Sequence, residues 1–158
     1  MACWPVRLFA CWPVGQFACW PVGQYHPLMR DVIVRWGSGK LGQDIEIGTH
    51  ALRADERADK GGDDNGPEPH ELLLAALGSC TAMTLKVYAD RKGWPLRDVG
   101  VRLTGGSADG KYSIMRQLTL TGELDEEQRR RLVEIAEKCP VHKTLSGDIA
   151  IATTEAAG

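Results

Sequence analysis

Residues 67–92 read PEPHELLLAALGSCTAMTLKVYADRK, and no other stretch restricts the possible folds so strongly. Leu73, Leu77, Cys80, Thr84 and Val87 recur at helical spacing and share one face. Leu72, Ala75, Ala76 and Met83 widen that face until little of the first half is polar. Gly93 and Pro95 supply a stop. A helix apolar almost all round is expected to be buried rather than laid on a surface. Cys80 therefore belongs inside the molecule or at an interface, on the most rigid element of the chain.

A second cysteine follows in EIAEKCPVHKTLSG. Leu132, Ile135, Ala136 and Cys139 fall on one face of a predicted helix, which Asp125 and Gln128 would cap and Pro140 interrupt. A short helix is expected to resume at Pro140 and reach Leu145. The remaining elements read as strands: residues 31–36, 44–47 and 50–55 before the long helix, then 97–103, 112–120 and 148–153 after it. Asp109-Gly110 marks a hairpin turn. Residues 56–69 form a polar loop dense in Gly, Asp and Pro that delivers the chain into the helix. The order βββ-α-ββ-α-α-β makes an α+β domain over residues 29–158.

Residues 1–28 stand apart. Ala-Cys-Trp-Pro-Val starts at Ala2, Ala10 and Ala18, and the period of eight fits no solenoid repeat, since these run from about 20 residues upward. The segment reads as an irregular extension from a short tandem duplication, with Met29 as the natural start.

With 158 residues, 43% of them hydrophobic, the chain can bury one core. A net charge of −2 gives no pull toward nucleic acid or an anionic membrane. No unbroken apolar run approaches the roughly 18–20 residues needed to span a bilayer, and no secretory signal is evident. The protein is expected in the cytoplasm, where a cysteine pair serves catalysis, redox sensing or metal binding more often than stapling.

Three readings of Cys80 and Cys139 are open at this level. Both can be ordinary core residues, since free Cys is among the most buried residue types. Cys139-x-x-His142 has ligand-like spacing, although a closed zinc site needs four ligands. In the redox reading, a helix starting at Pro140 would aim unsatisfied N–H groups at Cys139. Cys80 would then draw on a cation or hydrogen bonds from among Arg35, Arg53, His70 and His142.

The segments ELLLAALGSCTAMTLKVYADRKGWPL and KCPVHKTLSGDIAIAT resemble the OsmC/Ohr family of thiol-dependent peroxidases, and within it the YhfA-like branch, over residues 32–153. The resemblance implies an intertwined homodimer with two long central helices covered by sheets from both chains. It implies a cofactor-free, metal-free reduction of organic hydroperoxides, with Cys80 as peroxidatic and Cys139 as resolving cysteine, and a dithiol as reductant. A dimeric redox-sensing or small-molecule-binding module with little turnover is the alternative. The family's glutamate, ten residues before the peroxidatic cysteine, falls here on His70, with Glu71 beside it. That glutamate orients an activating arginine, for which Arg53 is the first choice and Arg35 the second. His70 and His142 are expected to contribute to binding.

Overall fold

The structure is a computed structural model that describes residues 29–156, so the reading of residues 1–28 as irregular lies outside the described residues. Three antiparallel strands open it: β1 (Val32–Trp36), β2 (Gln43–Ile47) and β3 (His50–Ala54), ordered β1-β2-β3. Among the described residues this sheet makes hardly any contact with the helices of its own chain. Val32, Val34 and Trp36 of β1 and Leu52 of β3 stay exposed.

The polar loop contains a single 3-10 turn over Ala58–Lys60 and is organised by Asp55. The buried Asp55 carboxylate accepts from the Glu56 N–H at 2.8 Å and the Asn65 N–H at 3.1 Å. The loop leads into α1 (Pro69–Lys92), where Glu68 and Glu71 close a reciprocal capping box and Pro69 takes the first turn. Gly93 ends the helix at φ 65°, a left-handed position that suits glycine.

The hairpin of β4 (Leu96–Ala108) and β5 (Lys111–Gly122) turns at Asp109-Gly110, both at positive φ. That is the turn whose twist matches paired strands. Both strands run longer than their sequence pattern indicated. On β5 the half-buried positions alternate as Tyr112, Ile114, Arg116, Leu118 and Leu120. β4 packs on α1.

Asp125 caps α2 (Glu126–Ala136), with Gln128 reciprocating as expected. Arg129 ties the helix to the hairpin end by donating to the carbonyls of Leu120, Gly122 and Leu124. The core joins Leu85 and Ala89 of α1, Leu96 of β4, Leu124, and Leu132, Ile135 and Ala136 of α2. The last element is α3 (Pro140–Leu145).

Four expectations are corrected. The second helix stops at Ala136 rather than at Cys139, because a residue before proline is driven out of the helical region; Cys139 sits at φ −56°, ψ 132°. It is nonetheless buried with Leu132, Ile135 and Ala136, through the turn rather than through helical phase. Residues 148–153 form no strand: the alternation of Ile149 and Ile151 is real, but they pair with no strand among the described residues and both side chains are exposed. Within one chain α1 is not buried all round. Leu77, Gly78, Thr81, Leu85 and Ala89 are covered, whereas Ala75, Ala76, Ser79, Met83 and Val87 are open. Finally, by length and composition α1 could cross a bilayer, with a mean hydropathy of 1.5 over its most apolar window, contrary to the expectation that no segment reaches that level.

Candidate thiol site

Cys80 and Cys139 are both free, and the fold brings them together where α1 meets α3. They face each other closely enough for each thiol to bear on the other's ionisation. Cys139 is fully buried at the entry of α3, and Cys80, at the middle of α1, is partly exposed. Cys80 lines a groove of about 660 Å³ with Ala76, Met83, Val87, Ile135 and Val141. The apolar walls suit a hydrocarbon chain, since burying such surface is favourable by about 25 cal/mol per Å².

The two sulfurs have opposite electrostatic settings. Burial pushes the Cys80 thiol up, and the neighbouring Cys139 sulfur pushes it further; the Val141 N–H and the Thr84 hydroxyl offset only part of this. Burial also opposes the Cys139 thiolate, but the Cys80 thiol, the His142 N–H, the Thr81 hydroxyl and the Val141 N–H outweigh it and bring Cys139 below the ordinary thiol value. The N–H groups at the start of α3 face the Cys139 sulfur without forming a regular capping hydrogen bond, and their dipoles still favour negative charge. Two thiols in such contact lose their first proton as a pair. Its charge rests nearer Cys139.

The remaining sequence candidates are dispersed. His142 lies beside the pair, with Nε2 3.3 Å from the Glu137 carboxylate. His70 rests against the Tyr112 ring, centroids 5.2 Å apart, and Tyr112 lines a cavity of about 420 Å³ with Leu77, Arg116, Glu137 and His142. His142 lines that cavity directly, and His70 meets it only through the Tyr112 ring. Glu71 faces a different groove, with Leu74, Gly78, Val101 and Leu103, and its carboxylate accepts from the Glu68 N–H. The one-residue offset from His70 does rotate it away, as 3.6 residues per turn require. Arg53 is in β3, donating to the Ser38 carbonyl at 2.6 Å and hydroxyl at 2.7 Å, while its buried Nε has no partner among the described residues. Arg35 pairs with Glu46 across β1 and β2 at the surface. Neither arginine reaches the thiols within one chain. No three His, Cys, Asp or Glu side chains among the described residues gather as a metal site.

Arg91 and Lys138 line the outer groove with Cys80, and Arg116, which sequence reasoning missed, reaches Thr81 and Ala136 on the buried side. Its side chain is 11% exposed, with Nη1 3.1 Å from the Thr81 hydroxyl and 3.2 Å from the Ala136 carbonyl, and Nη2 2.9 Å from Glu137. One signal was available: an arginine standing in the alternating set Tyr112, Ile114, Leu118, Leu120 occupies the covered face of its strand.

Comparison with known proteins shows the family and the fold. A family model described as OsmC-like protein matches residues 61–154. An OsmC-like protein from Mycoplasma pneumoniae superposes with TM-score 0.64 at 20% identity, covering 75% of this chain and 87% of the other. The organic hydroperoxide resistance protein OsmC from Legionella pneumophila gives TM-score 0.57 at 21% identity, covering 74% and 90%. The organic hydroperoxide resistance protein OhrB of Bacillus subtilis gives 0.55 at 22%, covering 76% and 92%. At these identities the likeness is one of fold. No curated protein matches the sequence.

Proposed function

The chain belongs to the OsmC-like protein family, and on that premise we propose that it is a cofactor-free thiol peroxidase that reduces organic hydroperoxides. The observation that carries this is the apposition of two free cysteines, one opening onto an apolar groove and the other buried among thiolate-favouring groups. The accessible Cys80 is the peroxidatic thiol. Its proton passes to Cys139, which it faces, and the Cys80 sulfur attacks the outer peroxide oxygen. The O–O bond breaks, the sulfur becomes a sulfenic acid, and the alkoxide takes a proton and leaves as the alcohol. Cys139 then attacks the Cys80 sulfur, forming the disulfide and releasing water. A cytoplasmic dithiol returns two electrons and two protons.

The working unit is an intertwined homodimer. The open face of α1 and the uncovered sheet β1–β3 support it, because both are apolar surfaces that one chain leaves in water. In that arrangement Arg53 supplies the activating cation, and its unpartnered Nε supports the assignment. Glu71 orients it, and His142, which lines the cavity beside Tyr112, and His70, which rests on the Tyr112 ring, bind substrate.

A second reading, a redox-sensing or binding module with little turnover, draws on Glu71 being committed to its capping box and on His70 standing where the family has glutamate. One experiment separates the two. The reduced full chain receives one equivalent of an organic hydroperoxide, followed by intact-mass and peptide mapping. A loss of two hydrogens with a Cys80–Cys139 link, and cycling with added dithiol, is expected. Both thiols remaining free would overturn the peroxidase reading, and one oxidation without cycling would favour the sensor.

A further inference from the structure

We propose that Arg116 is a positioning residue for the cysteine pair, holding the Thr81 hydroxyl so that its proton can turn to the Cys139 sulfur when that thiol ionises. The inference rests on the peroxidase reading only for its purpose; the hydrogen-bond geometry stands independently of it.

A threonine hydroxyl has one proton to donate and two lone pairs to accept with. Thr81 is fully buried, and its hydroxyl donates to the Leu77 carbonyl at 2.8 Å. That carbonyl is one turn earlier in α1 and already has the helical N–H of Thr81 as its donor. The hydroxyl can leave it without stranding a buried acceptor. Arg116 carries donors only, so its Nη1, 3.1 Å from the hydroxyl oxygen, occupies a lone pair and cannot compete for the proton. The proton is then free to rotate between Leu77 and the sulfur.

Arg116 also fixes the cysteine's own segment. Its Nη1 holds the Ala136 carbonyl at the end of α2, and its Nη2 holds the Glu137 carboxylate, two residues before Cys139. Glu137 in turn meets His142 on α3. One guanidinium thus spans β5, α1 and the α2–α3 connection, the three pieces that meet at the thiols. The groups facing Cys139 are Cys80 and the Thr81 hydroxyl from α1 and the Val141 and His142 N–H groups from α3, with Arg116 and Glu137 one hydrogen bond further out. Glu137 neutralises much of the Arg116 charge, so the effect passes through the oriented hydroxyl. A donor of this kind shortens and strengthens when its acceptor becomes an anion.

The test is a pH titration of Cys139 in the reduced full chain, read from the carbon-13 shift of labelled cysteine, with Cys139→Ser as the assignment control. Thr81→Val matches threonine in shape, and its midpoint is expected to move to higher pH, lowering the thiolate fraction at neutral pH about tenfold, the scale of one hydrogen bond to a charged group. Arg116→Gln should move it in the same direction, and Thr81→Ser should keep the wild-type midpoint. A wild-type midpoint in Thr81→Val would overturn the proposal, even if Arg116→Gln proves too unstable to read. Because no peroxide is present, a chain without turnover still answers. A chain that turns over with an unmoved midpoint refutes the positioning role alone.

Discussion

Replacing Met83 by Glu should leave the single chain folded and take the dimer apart. Within one chain Met83 is 63% exposed, on the side of α1 opposite Leu77, Thr81, Leu85 and Ala89. Methionine and glutamate have nearly equal helix propensity, so the substitution is close to neutral for the isolated fold. A twofold interface contains the position twice. Full burial of a methionine is favourable by about 1.5–3 kcal/mol, and with 63% of it still to cover two copies contribute about 2–4 kcal/mol. At about 1.4 kcal/mol per decade the dissociation constant should weaken by roughly 10–10³-fold, and the cost of desolvating two carboxylates adds to that. Sedimentation velocity across a micromolar concentration series measures the shift, with circular dichroism checking the helix content. The companion change Leu77→Asp should behave differently, because Leu77 is only 4% exposed within its own chain and a carboxylate there unfolds the monomer. An unchanged dissociation constant for Met83→Glu would refute the placing of a second copy on this face.

Three further outcomes are expected. Cys139→Ser should allow one round of oxidation and trap a sulfenic acid at Cys80, detectable by dimedone labelling, with a slower first step because the Cys80 proton loses its acceptor. Asp55 is subject to burial, which raises its carboxyl, but the N–H groups of Asn65, Glu56 and Asp63 and the Arg53 charge outweigh this and hold it below the usual carboxylate value. Its stabilising effect is therefore present above the unfolded value of about 3.9 and is lost as pH falls through the lower folded value, so Asp55→Asn should flatten the acid limb of a pH–stability curve, and an identical limb would count against it. Leu85→Ala removes a fully buried side chain from the core and should lower unfolding free energy by about 2–5 kcal/mol in a denaturant titration, whereas a loss under about 1 kcal/mol would mean the site collapses around the change.

Much of this fold was legible because its signals are local. The Asp125–Gln128 cap, the Asp109-Gly110 turn, the Gly93 stop and the restart at Pro140 each depend on a few adjacent residues, and each stands where the sequence put it. The misreadings share a non-local cause. Residues 148–153 alternate as a strand should, yet a strand exists only beside an edge that the pattern does not name. Cys139 kept a helical phase with Leu132 and Ile135 while the backbone had already left the helix. Arg116 escaped notice because its importance comes from three partners at separations of 20 to 35 residues, none of them marked by a motif.

The same distinction explains where the thiols sit. A sequence apolar on every side of α1 says that both faces meet something, but not which face meets the chain's own core. The structure divides them: Leu77, Thr81, Leu85 and Ala89 turn inward, and Ala76, Met83 and Val87 turn outward. Cys80 lies on the boundary between the two, half-covered by α3 and half-open to the outer groove. On the inward side it meets Cys139, whose thiolate the surrounding groups favour; on the outward side it meets apolar surface that water solvates poorly. A residue at that seam can pass its proton to one side and take substrate from the other. Neither a fully buried cysteine nor a fully exposed one on the same helix would be able to do so.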